Sequence, residues 1–215
     1  MSSTEHVTTL LELLSSRICH DLVSPVGAIN NGIEFMEDAG DDKESVAQAT
    51  ELISHSAQSA AARLQVFRIA YGGGGRDGNI KPEDIQKAFG ALIRSDNKVR
   101  QSWDPFGPLG IDPKEKGFSK LLMCALVLSM ECLPKGGTVF VDAGEKNETI
   151  FKAEGPDAVV RETVEAALKR TLDADTLDPR LVHPYTMSLI AETYGYTISL
   201  TSRDEGKIVW SLRKT

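Results

Sequence analysis

The sequence predicts an α+β protein: an N-terminal helical hairpin forming a dimeric four-helix bundle, followed by an α/β sandwich. Three observations predict it. Apolar residues recur every three or four positions through the first 71 residues. A glycine run, Gly72–Gly75, then coincides with a change in charge. Beyond the run, helical and alternating segments interleave and end in a two-strand pattern.

The first apolar series is Leu11, Leu14, Ile18, Leu22, Val26, Ile29, Ile33 and Met36. Pro25 falls inside it, where it removes one backbone hydrogen bond and is expected to kink the helix. An acidic, glycine-containing turn at residues 38–42 separates it from a second series: Val46, Ala49, Ile53, Ala57, Ala60, Leu64, Phe67 and Tyr71. Two helices joined by a short loop make a hairpin, and one hairpin cannot enclose both apolar stripes. Pairing two copies would close a four-helix bundle, so a homodimer is expected.

Residues 1–71 hold ten acids and four bases, a net −6 of the chain's −7. Glycines 72–75, then Arg76, Asp77 and Gly78, offer little to pack and read as a flexible linker. A phosphate-cradling P-loop needs Lys and Ser/Thr after its last glycine, and Asn79-Ile80 follows instead. The boundary divides a hairpin domain, 1–75, from a sandwich domain, 76–215.

In the second segment a helix is expected from Pro82, preceded by Asn79 or Lys81, and a strand over 99–103. Asp112-Pro113 is expected to open a long helix running to Cys132 and stopped by Lys135-Gly136-Gly137. Strands are predicted at 138–142 and 149–152, and helices near 157–171 and 183–194. A closing hairpin pairs 197–201 with 207–212. The sheet is read as mixed, mainly antiparallel, with helices on one face.

Composition excludes several functions. A net charge of −7 argues against nucleic-acid binding and acidic membranes. Three cysteines without a CxxC pair supply neither a disulfide framework nor a zinc cage, and no HExxH or HxH pattern occurs. The longest apolar run, 121–130, is about half of the ~20 residues a membrane span requires. With no leader-like N-terminus, a cytoplasmic protein is expected.

One histidine stands out by geometry. At 100° per residue, Leu11, Ile18, Val26, Ile29 and Met36 lie within about 40° of Leu22, while His20 points about 160° away. Leu13, Ser16, Arg17, Ser24, Gly27 and Asn31 share that outer face. Most are small or polar, so a second protein can approach the imidazole and these residues become candidate contacts. The alternative is an ordinary solvated histidine. By contrast, His55 is expected in solvent, His6 in a frayed terminus and His183 at a loop or helix start.

The string His20-Asp21-Leu22-Val23-Ser24-Pro25-Val26 resembles the phosphoacceptor box of two-component sensor kinases. The chemistry fits: imidazole, with an ordinary pKa of about 6.5, is available neutral to attack phosphorus. Asp21 can orient the ring or take its proton. Arg17, one turn earlier, could meet phosphoryl oxygens or an acidic partner, against the plainer reading of a solvated ion.

The second segment resembles the GHKL (Bergerat) ATPase domain of histidine kinases in three strings. Residues 123–139 are similar to its N-box, but Cys124 and Leu128 occupy places where that family holds magnesium with asparagines. Residues 152–157 resemble the adenine-binding segment, with Ala153 in place of the aspartate. Residues 183–196 resemble the helix after the lid, without the lid glycines. ATP binding is therefore not expected, and no cofactor or metal is assigned to this chain.

A phosphoacceptor hairpin joined to an ATPase-like fold without ATP ligands resembles the ChpT-type histidine phosphotransferases. The resemblance implies a dimer and a phosphorelay through His20 between receiver-domain aspartates, as in bacterial cell-cycle signalling. The donor would be the receiver of a hybrid histidine kinase and the acceptors response regulators, with Mg2+ held by the receiver. The alternatives are an autophosphorylating kinase with a diverged ATP site and a non-catalytic dimeric scaffold.

Overall fold

Two long helices account for the first third of the chain. The computed structural model describes residues 3–72, 80–95, 97–172 and 177–215. The linker expected beyond Gly72 lies outside the described residues. Helix α1 (Ser3–Asp38) runs continuously through Pro25, and α2 (Lys43–Tyr71) packs antiparallel against it. Asp42 caps α2, its carboxylate accepting from the Glu44 backbone N–H at 3.3 Å.

The helices approach closely because Gly32 has no side chain: a Cβ there would lie 2.6 Å from Ile53 Cγ1. Pro25, Gly32, Ala49, Ser56 and Ala60 are buried along the hairpin. Other parts of the expected apolar stripe stay in solvent. Leu11 is 60% exposed, Val26 47%, Ile33 44% and Leu64 52%.

Among the described residues, five strands follow the hairpin, interleaved with four helices. In chain order they are α3 (Pro82–Arg94), β1 (Val99–Ser102), α4 (Phe118–Glu131), β2 (Gly137–Ala143), β3 (Glu148–Glu154), α5 (Glu162–Leu168), α6 (Val182–Tyr194), β4 (Tyr196–Asp204) and β5 (Lys207–Lys214). The sheet order is β1-β2-β3-β5-β4, parallel only between β1 and β2. Strand alternation buries Val139, Val141, Phe151, Ala153, Ile208, Trp210 and Leu212 on one face. The other carries cross-strand ion pairs, Lys152–Asp142 at 2.8 Å and Lys207–Glu154 at 3.0 Å.

Two expectations need correction. Helix α4 begins at Phe118 rather than Asp112, because the Asp112 carboxylate accepts from the Lys114 N–H at 2.9 Å and closes a separate turn. Gly117, at φ +85°, starts the helix, and a Cβ there would strike the Tyr194 ring. Helix α5 is short, starting at Glu162 rather than near Asp157. Val66, Ile69 and Ala70 of α2 share one core with α3, α4 and the sheet, so the hairpin's last turns are packed into the sandwich.

Helix α4 sits at the centre. Its residues 118–129 are all buried, which explains an apolar run too short for a membrane. Among the described residues, no helix is long and apolar enough to cross one.

Candidate phosphotransfer site

His20 emerges from the middle of α1 with 87% of its side chain exposed. Its Nδ1 lies 3.4 Å from Oδ1 of Asp21, a long contact that leaves Nε2 facing solvent. Around it, Ser16, Ser24 and Asn31 are exposed. At Gly27 an added Cβ would meet nothing within 4 Å. These four residues keep the approach to the imidazole open. Val23, 68% exposed and next to Ser24, adds an apolar side chain to this mostly small and polar face.

Two residues expected on that open face are engaged elsewhere. Leu13 packs with Leu10 against Ala167, Leu177, Leu181 and Tyr185 of the second domain. Arg17 pairs with Glu131 at the end of α4, and its Nη1 donates to the Arg180 carbonyl at 3.4 Å. Burial opposes the charge of Arg17, but Glu131 foremost, with Tyr71 and Asp21, outweighs it, and the guanidinium pKa rises. Helical spacing placed both residues outward correctly; outward in this half of α1 means toward the sandwich.

The second domain thereby forms a wall facing His20. Between it and α1 lies a cleft of about 710 Å³ lined by Arg17, His20, Asp21, Glu131, Arg161 and Arg180 over an apolar floor that includes Leu128 and Val160. Glu131, Arg161 and Arg180 carry no local signal in the sequence, since only tertiary packing brings them to α1.

His183 also departs from expectation. It does open α6, but it is 1% exposed. Its Nε2 contacts the Cys124 carbonyl at 3.0 Å and its Nδ1 bonds the Tyr71 hydroxyl. A carbonyl can only accept, so Nε2 carries the proton and Nδ1 accepts from Tyr71. Burial holds the imidazole pKa below its ordinary value and pushes the Tyr71 phenol up. His6, expected in a frayed end, lies within α1 with Nε2 3.1 Å from the Tyr185 hydroxyl. His55 is exposed, as expected.

The positions likened to ATP ligands are packed. Cys124 and Ala153 have no exposure and Leu128 has 1%. Burial pushes the Cys124 thiol up to about 12, leaving it a neutral group in the core.

An accessible imidazole on a helical hairpin, backed by a sandwich that walls one side of it, defines a histidine phosphotransfer protein. Comparisons agree. The family described as histidine phosphotransferase C-terminal domain matches residues 82–206. Over 207 residues, 90% of either chain, the sequence is 35% identical to protein phosphotransferase ChpT of Brucella abortus (strain 2308). A solved structure of a bacterial phosphotransferase superposes with a TM-score of 0.73 at 30% identity, covering 99% of this chain and 98% of the other. The chain belongs to the histidine phosphotransferase family and acts as a phosphotransferase in a phosphorelay.

Proposed function

We propose that His20 is the phosphoacceptor and relays a phosphoryl group between aspartates of two receiver domains, without ATP. The observation that carries this reading is an imidazole almost wholly in solvent whose Nδ1 is turned to Asp21. With the Nδ1 proton directed at that carboxylate, the Nε2 lone pair attacks the phosphorus of an aspartyl phosphate. The N–P bond forms as the P–O bond to the donor aspartate breaks, and the carboxylate leaves with that bond's electrons. Asp21 balances the positive charge then carried by the ring. In the second half-reaction the acceptor's aspartate attacks phosphorus and the N–P bond breaks, returning neutral His20. Magnesium belongs to the receiver's acidic pocket, so this chain supplies a positioned nucleophile.

Ser16, Ser24, Gly27 and Asn31 clear the docking path, and Val23 gives the receiver an apolar contact. The proposed donor is a hybrid-kinase receiver and the proposed acceptors are response regulators. ATP has no part in this scheme because Cys124, Leu128 and Ala153 offer neither metal oxygens nor an acceptor for adenine. A homodimer is supported by Val7, Leu11, Val26 and Ile33, exposed together on one side of α1 opposite His20.

The test exposes wild type and His20→Ala to radiolabelled ATP and, separately, to a labelled phosphoreceiver. Label on wild type from the receiver alone, and none on His20→Ala, is expected. Label from ATP would mean a kinase, and no label from any receiver a scaffold.

A further inference from the structure

Arg17 ties together three elements that all border the cleft at His20. It sits on α1 one turn before the histidine, a rise of about 4.5 Å. Its Nη2 pairs with Glu131 in the last turn of α4, and its Nη1 reaches the Arg180 carbonyl, just before α6. Only 15% of the Arg17 side chain is exposed, and 31% of Glu131.

Other contacts between hairpin and sandwich differ from this one in place or in kind. His6–Tyr185 sits about 20 Å back along α1, fourteen residues before His20. Tyr71–His183 joins α2 rather than α1. Leu10 and Leu13 adhere to the second domain through apolar contact, which is non-directional. The guanidinium differs from all of these: a planar fork holding a carboxylate and a carbonyl at once fixes orientation, which a lysine point charge cannot reproduce.

We infer that Arg17 is a positioning residue for phosphotransfer: with Glu131 and the Arg180 carbonyl it holds the second domain at the separation from His20 that a docking receiver needs. The inference rests on His20 being the phosphoacceptor. Released from the clamp, the second domain samples other separations and only a fraction of molecules presents a competent cleft. That fraction weakens apparent receiver affinity while leaving chemistry in the docked complex intact.

The experiment measures transfer from a hybrid-kinase receiver, charged with radiolabelled acetyl phosphate, over a range of receiver concentrations. Wild type, Arg17→Gln, Glu131→Gln, the double variant and Arg17→Lys are compared, with thermal unfolding as a check on folding. Each variant is expected to raise the half-saturating receiver concentration about 10-fold and to leave the saturated rate within about twofold. The double variant should match either single one, because both remove the same clamp. Glu131→Gln is nearly isosteric and decides the matter even where an Arg17 variant folds poorly. A large loss of saturated rate in Arg17→Gln beside a normal Glu131→Gln would overturn the inference, because Arg17 would then be touching the phosphoryl group itself. Unchanged half-saturation in Glu131→Gln, or additive effects in the double variant, would overturn it too. Label on His20→Ala would instead remove the phosphoacceptor reading beneath it.

Discussion

Replacing Tyr71 by Phe removes one oxygen from a contact between hairpin and sandwich, and its cost follows from the hydrogen-bond accounting. His183 spends its N–H on the Cys124 carbonyl, so Nδ1 depends on the Tyr71 hydroxyl. With His183 1% exposed, water cannot replace that donor without opening the core. An orphaned buried acceptor costs about 1–3 kcal/mol. For a chain of this size each kcal/mol lowers Tm by about 2–4 °C. A loss near 2 kcal/mol thus means a fall of roughly 4–8 °C by calorimetry or circular dichroism. A double-mutant cycle with His183→Leu isolates the pair and should return a coupling of about 1–2 kcal/mol. A Tyr71→Phe protein within about 0.5 kcal/mol of wild type would refute the reasoning, since the hydroxyl would then be donating to nothing that matters.

Acid should weaken the fold through the same histidine. Burial keeps the folded-state pKa of His183 below its ordinary value, and the charged groups acting on it are Glu131 and Arg17. The unfolded chain therefore binds the proton more readily, and stability present above about pH 6.5 is lost as pH falls. Thermal unfolding between pH 7.5 and pH 5.5 should show a fall that is smaller in His183→Gln. Gly32→Val forces a side chain into Ile53 and should cost roughly 1–3 kcal/mol in chemical denaturation. Leu128→Asn, which puts an asparagine where the resemblance to GHKL ATPases expects one, should cost roughly 2–4 kcal/mol and bring no binding of labelled ATP. Combining Leu11→Glu with Val26→Glu should leave a species of one 23.4 kDa chain by sedimentation, against twice that mass for wild type.

Much of the architecture was legible because it depends on periodicity. The spacing of Leu11 through Met36 marks α1, and the strand alternation around Phe151 and Trp210 marks the sheet. What stayed hidden depends on partners distant in sequence. Arg17 and Leu13 were placed on the correct face, but no periodicity reveals that the second domain stands opposite that face. Glu131 closes a helix and looks like a surface acid until α1 arrives beside it. Asp112-Pro113 carries a plausible helix start, yet the local Asx turn takes those residues and α4 waits for Gly117. His183 preceding Pro184 announces a helix start correctly, while its burial comes from Tyr71 and Cys124. The exposure of His20 is legible because its context is local: an outward direction, an adjacent acid and small neighbours within one turn.

In the proposed relay a phosphoryl group rests on His20. Protein charged by a phosphoreceiver can be digested at alkaline pH, where a phosphohistidine survives, and its peptides mapped by mass spectrometry. One phosphorylated peptide is expected, modified at His20 and absent from His20→Ala. A phosphoryl group mapped to His55 or to any other side chain, with His20 unmodified, would contradict it.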